Sequence, residues 1–378
     1  MQHFKVISLI AICLSLLFTR CVPDKNNKNK TVTDGTFLYS EDIRYAKGFS
    51  IHYYEEFTKV ILNNPWSNSN KPYAEYYLYK NDNKENEFNI PINSLLVNTF
   101  SYFEFLSLLY ELDSVTGVTD GFRIYNKTIL NKLDNKTIVD LGDPFNPNIE
   151  RTIELSPDAV ISSAYAQIDS YSERIIKAGI PVIYSLEWME NTPLAKVEWI
   201  KMIAAFYDKR ELADSLFNEI ERRYISIKEE VTGIDKRKSV LAGDNFQGTW
   251  YLPGGDSFNA ALFKDAGLEY LYANRNMRGS IGLDIESVLT QFNNADIWFG
   301  CEADTYEQLA EKDNKYTLLD PVKKRQVYNN HNRITPTGGN DYFESAIAYP
   351  DLILSDIVKA AYPELLPDYT FSYIKPLN

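Results

Sequence analysis

Between positions 208 and 231 the chain carries the pattern that most narrows its folding options. Leu212, Ala213, Leu216, Phe217, Ile220, Tyr224 and Ile227 recur at helical spacing, while Lys209, Arg210, Glu219, Arg222, Arg223, Lys228, Glu229 and Glu230 fall on the opposite face. At ~1.5 Å per residue such a helix spans about 35 Å, the width of a small domain. Asp208 and Glu211 have the spacing of a capping box at its entrance. Strand and helix patterns alternate on both sides of the segment, so it reads as a strut between two lobes. A surface helix inside one larger domain is the other reading.

A chain of 378 residues can hold two hydrophobic cores, and its 44% apolar content is that of a globular protein. A formal charge of −13 argues against nucleic acid as a partner, because phosphate binding needs a basic face. With three cysteines, at positions 13, 21 and 301, neither a disulfide framework nor a cysteine metal cluster can be built. Behind Lys5, residues 6–18 form an apolar run of secretory length. It ends at Phe18-Thr19-Arg20-Cys21, which resembles the lipobox of bacterial lipoproteins, with Arg20 in place of the usual small residue. That resemblance implies lipidation of Cys21 and attachment to a membrane; an uncleaved anchor or plain secretion are the alternatives. Residues 22–34, rich in Asn, Lys and Asp, read as a disordered tether.

From 37 to 82 the chain is crowded with Tyr and Phe, and segments 49–54, 58–62 and 73–79 read as strands of an antiparallel hairpin layer. The period then changes. Expected strands at 94–98, 115–118, 138–141, 159–163 and 180–184 alternate with expected helices at 101–112, 124–133, 148–155 and 172–178. This is the mark of an α/β fold with a mostly parallel sheet covered by helices on both faces. Ligands of such sheets gather outside the carboxyl ends of the strands, which puts Asn98, Tyr102, Tyr165 and Trp188 on one rim.

Asn148-Ile149-Glu150-Arg151, followed by Leu155-Ser156-Pro157-Asp158-Ala159-Val160, resembles a segment of the periplasmic binding proteins that deliver iron siderophores, haem or cobalamin to ABC importers. Ala178-Gly179-Ile180-Pro181-Val182 is similar to the next strand entry of that family, and Leu283-Asp284-Ile285-Glu286-Ser287 repeats the helix-borne glutamate in the second half. Gly338-Gly339-Asn340-Asp341-Tyr342-Phe343-Glu344-Ser345 and the segment at 350–354 resemble one lipoprotein branch of it. The resemblance implies two α/β lobes joined by a helical backbone, a cargo held between them and no catalysis. It also implies that Glu150 and Glu286 dock into arginines of an ABC permease, and that a monomer rocks slightly on binding. The implied cargo is a ferric chelate, cobalamin or haem, with no resident cofactor.

The expected organisation is a leader at 1–21, a tether at 22–36, a first lobe at 37–191, interlobe helices at 192–238 and a second lobe at 239–378. In the second lobe a strand at 239–243, a strand at 249–252 and a helix at 258–266 precede a strand around Trp298, and one long helix is expected over 341–361. Gly254-Gly255 before a helix allows either an anion cradle or a tight turn. The same rim rule adds Gln247, Thr249, Trp250, Glu302 and Arg333 to the candidate ligand residues, with Arg333 suited to an anionic group.

The chain has three histidines, at 3, 52 and 331, too few for the ligand set that a free transition metal needs. A chelated metal brings its own ligands. His331 as an axial ligand to a haem or cobalt centre is a lesser reading. Asp244 and Glu302 could serve as the carboxylate pair of a surface glycoside hydrolase, and chelatase-like enzymes share a two-lobed form. No nucleophile elbow, zinc-protease motif or dinucleotide fingerprint is present.

Overall fold

The computed structural model describes residues 35–67, 71–81 and 88–378; the leader, Cys21 and the tether up to residue 34 lie outside them. Strands β1 (Phe37–Ser40), β2 (Phe49–Tyr54), β3 (Thr58–Leu62) and β4 (Ala74–Tyr79) form an antiparallel layer that β5 (Phe88–Asn89) extends in parallel. Alternate residues of β3, Thr58, Val60 and Leu62, are buried, as expected of a sheet with one face on a core.

The first lobe holds a wholly parallel sheet of β6 (Leu95–Val97), β7 (Val115–Val118), β8 (Val139–Asp140), β9 (Ala159–Ser163) and β10 (Val182–Ser185), in the order β10-β9-β6-β7-β8. The second lobe is built on β11 (Ser239–Ala242), β14 (Glu269–Tyr270), β16 (Ile297–Phe299) and β17 (Val327–Asn329), in parallel, closed by an antiparallel β18 (Lys375–Pro376). Beside it, β12 (Asp244–Phe246), β13 (Thr249–Pro253) and β15 (Ser280–Leu283) make a small antiparallel sheet. The two parallel sheets share no strand among the described residues.

The expected strut is the helix Arg210–Glu230. Its buried residues, Ala213, Phe217, Ile220 and Tyr224, are the apolar stripe read from the sequence. Toward its start Asp214 pairs with Lys201 at 3.0 Å, and at its middle Glu221 pairs with Arg44 at 2.8 Å. Toward its end, Tyr224 donates to Asp265 at 2.8 Å and Arg223 pairs with Asp351 at 2.6 Å. The helix thus packs on Ile200–Ala205, which itself lies against Phe103–Leu108 of the first lobe, and on Pro350–Ala361 of the second, and bridges them.

Two local expectations fail for identifiable reasons, and one open alternative is narrowed. Asp208 is no cap: its backbone is left-handed at φ 55°, its carboxylate pairs with Lys80 at 2.7 Å, and Lys209 takes the cap position without a side-chain bond. The helix expected over 341–361 breaks into Asp341–Glu344, a short 3-10 turn and Pro350–Ala361. Pro350 has no N–H to donate and pushes Tyr349 out of helical geometry, to φ −127° and ψ 59°. At Gly254 and Gly255 the packing fits the tight-turn alternative. A Cβ on either would meet carbonyl oxygens of the 272–279 loop, at 2.1 Å for Met277, so the pair marks a close approach of backbone to backbone.

Two buried carboxylates fasten the N-terminal layer to the interlobe helices. Glu198, with no exposed surface, accepts the backbone N–H groups of Arg44, Tyr45 and Ala46, each at 2.8 Å. Glu190 accepts those of Lys47 and Gly48 together with the Trp199 indole N–H. Replacing Glu198 by alanine strands three donors, so urea unfolding should show a loss of about 3 kcal/mol, with part restored by Glu198→Gln. A loss below ~0.5 kcal/mol, the level of an ordinary surface change, would refute this anchoring role.

Candidate functional site

The carboxyl ends of both parallel sheets open on a common cleft, the placement that open α/β sheets impose. After β6 the chain turns through Thr99, Phe100 and Ser101; after β9 it reaches Tyr165, and after β10 Glu187 and Trp188. From the second lobe Glu302 follows β16, His331 follows β17, and Asn340 and Phe343 come from the turn ahead of Pro350–Ala361. These side chains surround a cavity of about 820 Å³. A second cavity of about 690 Å³ runs over the ends of β11 and β16 and shares Glu302 and Phe343 with the first. A third, about 200 Å³, reaches Asn98, Thr119 and Asp120 and shares Phe100, Arg123 and Tyr165.

The walls are aromatic and open. Tyr165 and Trp188 on one lobe are 44% and 42% exposed, and Phe343 on the other 55%, high values for rings in a concave surface. The centroid of the Trp188 ring lies 6.2 Å from both Tyr165 and Trp66, and the Tyr73 hydroxyl holds the Tyr165 carbonyl at 3.0 Å. Glu187 lies beneath this wall, 4% exposed, taking the Tyr102 hydroxyl at 3.0 Å and the Ser185 hydroxyl.

Of the residues proposed from the sequence, Tyr165, Trp188 and Glu302 line the large cavity. Asn98 borders the smallest one, with its amide spent on Thr119, Ser162 and the Pro144 carbonyl. The others lie elsewhere. Tyr102 is fully buried beneath Glu187. Trp250 is fully buried against Trp298, its indole N–H on the Ala242 carbonyl. Gln247 sits exposed in the turn between β12 and β13, and Thr249 on β13 faces Gly282. Arg333 pairs with Asp341 at 3.1 Å and lies over the Tyr373 ring, in a separate cavity of about 450 Å³ between the lobes. There the Tyr349 hydroxyl donates to Glu104 and the Tyr125 N–H to Glu344, both at 2.7 Å. Burial pushes the Glu344 carboxyl up to about 8.

Phe100, Arg123 and Phe343 were not singled out from the sequence, although Phe100 and Arg123 follow strand ends as the rim rule requires. The two carboxylates named as a hydrolase pair, Asp244 and Glu302, line one cavity. Asp244 is held as an acceptor by the Glu302 N–H at 2.8 Å and by Lys312 at 3.3 Å. Glu150 and Glu286 are each exposed in the first turn of a helix, capped by Asn148 and Asp284 respectively. Glu286 pairs with Lys315 at 2.7 Å.

No group of three or more potential metal-ligating side chains occurs among the described residues. His331 instead lies between Asp304 at 3.2 Å and Glu302 at 3.5 Å. The hydrogen bond to Glu302 raises its pKa above the ordinary 6.5, against the opposing effect of burial. The folded state therefore gains stability from the imidazolium that is full below pH 6.5 and is lost as pH rises through the raised value. Melting curves should show wild type exceeding His331→Asn at pH 5.5 by more than at pH 8.5; a pH-independent difference would contradict this.

The periplasmic binding protein family model matches residues 99–333, from the first rim turn through the second lobe's third. An uncharacterized lipoprotein of Methanocaldococcus jannaschii is 24% identical over 96% of this chain and 94% of its own. Among solved structures, a possible iron-binding periplasmic solute-binding protein from Staphylococcus epidermidis aligns with TM-score 0.55 at 18% identity, over 72% of this chain and 99% of its own. The periplasmic heme-binding protein RhuT from Roseiflexus aligns with TM-score 0.54 at 14% identity, over the same shares. With its two lobes, helical backbone and shared cleft, the chain belongs to the periplasmic binding protein family, as a solute-binding protein of the ABC-transporter type.

Proposed function

We propose that the protein is a lipid-anchored receptor that takes a metal chelate of the siderophore, cobalamin or haem kind into the interlobe cleft and hands it to an ABC permease. The observation that carries this reading is the set of open rings, Phe100, Tyr165 and Trp188 from one lobe and Phe343 from the other, around about 820 Å³. Such a volume suits a ligand of chelate size, and stacking rings interspersed with polar groups suit one whose metal is already satisfied. The iron- and heme-binding descriptions of two structural neighbours support the same class. The lipoprotein relative supports an anchor at Cys21 and a place in the cell envelope.

Delivery is assigned to Glu150 and Glu286. Exposed carboxylates on opposite lobes can form charge-assisted pairs with arginines, setting the docking register. The lobes would be bounded at 37–191 and 239–378, with 192–238 between them.

Native mass spectrometry against ferric siderophores, haemin and cobalamin should give a one-to-one complex with at least one of them, accompanied by quenching of tryptophan emission that Trp188→Phe reduces. Absence of any complex would overturn the assignment. In cells, Glu150→Ala with Glu286→Ala should abolish uptake and leave cargo affinity within about twofold, since a solvated carboxylate far from the ligand contributes little to binding. Loss of affinity instead would contradict the docking role.

A further inference from the structure

The charges facing the cleft are unequally matched. Along its three connected cavities, the described acidic residues are Asp120, Asp169, Glu187, Asp244 and Glu302, and the permanent cations are Arg123 and Lys312. Each of these cations already has a carboxylate partner: Arg123 has Asp120 at 3.3 Å, and Lys312 has Asp244 at 3.3 Å. His331, the remaining basic group, is shared between Glu302 and Asp304. Arg333, which would suit an anion, opens on the separate interlobe cavity and is held by Asp341. Lys196 is not among the lining residues; its ammonium lies 4.4 Å from the centroid of the Phe258 ring, near enough to Glu187 and Glu190 for their charges to act on it.

An anionic chelate entering this space would meet only permanent cations that already have a carboxylate beside them, Arg123 with Asp120 and Lys312 with Asp244. It would have to share those cations with their carboxylates, in a lining where acidic residues outnumber permanent cations and the Glu302 side chain is 60% accessible. Like charges placed together in a concave, partly dry site repel far more strongly than in open water, and a cleft of one sign concentrates its field. The rings impose no such penalty, since their faces carry negative quadrupole density that favours neutral or cationic surfaces.

We infer that the cleft selects a chelate without net negative charge, an uncharged or cationic complex that presents flat apolar surface to the rings, and rejects polyanionic chelates. This rests on the reading of the cleft as a chelate site and adds to it the charge class of the cargo. Glu302, shared by the two largest cavities, is the residue most exposed to an incoming ligand charge, its side chain 60% accessible.

The test is a titration by tryptophan quenching with probes that differ in charge. These are an uncharged ferric tris-hydroxamate, a cationic ferric tris-hydroxamate, cyanocobalamin, haemin with its two propionates, and a trianionic ferric tris-catecholate. An uncharged or cationic probe should bind at least ~10-fold more tightly than the tris-catecholate and haemin, and the gap should shrink at high salt as repulsion is screened. In Glu302→Gln, and more so in Glu302→Lys, the gap should narrow. Tightest binding of the tris-catecholate or haemin would overturn the charge assignment and leave the receptor reading standing. Binding of no probe would remove the receptor reading and the charge assignment with it. A gap unchanged in both Glu302 variants, with melting temperatures near wild type, would overturn the electrostatic account.

Discussion

Two parallel sheets that share no strand must be held in register by something else, and here that is one helix anchored at both ends. Phe217 and Glu221 secure its middle against Tyr45 and Arg44, and Tyr224 and Arg223, farther along, secure it against Asp265 and Asp351. Packing alone would leave a smooth apolar stripe free to slide. The charged pairs to either side convert it into a fixed spacing, because each must stay within a few tenths of an ångström of its hydrogen-bonding distance. The interlobe contacts at Glu104 and Glu344 add a second line of attachment beside the cleft.

The cleft inherits its character from this arrangement. Strand ends pointing from two directions bring loops together that are distant in sequence, so that Phe100 and Phe343 come to line one space. Polar side chains near it mostly serve the protein: Asn98 ties three loops, Asp244 holds the Glu302 backbone, and Glu187 holds the Tyr102 and Ser185 hydroxyls. Rings, and a lining in which carboxylates outnumber permanent cations, are what remain to meet a solute.

Much of the fold was legible in the sequence because strands buried on both faces leave continuous apolar runs, and because the stripe from Ala213 to Tyr224 has a single period. Tyr165 and Trp188 come to the cavity at the first-lobe rim for the same reason, since a parallel strand predicts where its loop must go. Trp250 escaped the rule because β13 belongs to the antiparallel sheet, where carboxyl ends carry no special meaning and the indole turns into the core. Tyr102 was misplaced by a single helical turn, which swings its ring from the rim to Glu187 beneath it. Phe343 was hidden by the unbroken helix expected over 341–361; with Pro350 breaking it, the segment Asp341–Glu344 is free to approach the cleft. Asp208 has the right spacing for a cap, but Lys80, more than a hundred positions earlier, claims its carboxylate.

A helix fastened at both ends also limits how such a chain can change in length. Inserting one residue within Arg210–Glu230 would turn everything beyond it by about 100° and advance it by ~1.5 Å. Arg223 would lose Asp351, and the second lobe would face away from the first. Deletions do the same in the opposite sense. Variation in length among relatives should therefore collect in the loops and in the N-terminal layer, and the number of residues between Phe217 and Tyr224 should be the most invariant distance in the family's alignments.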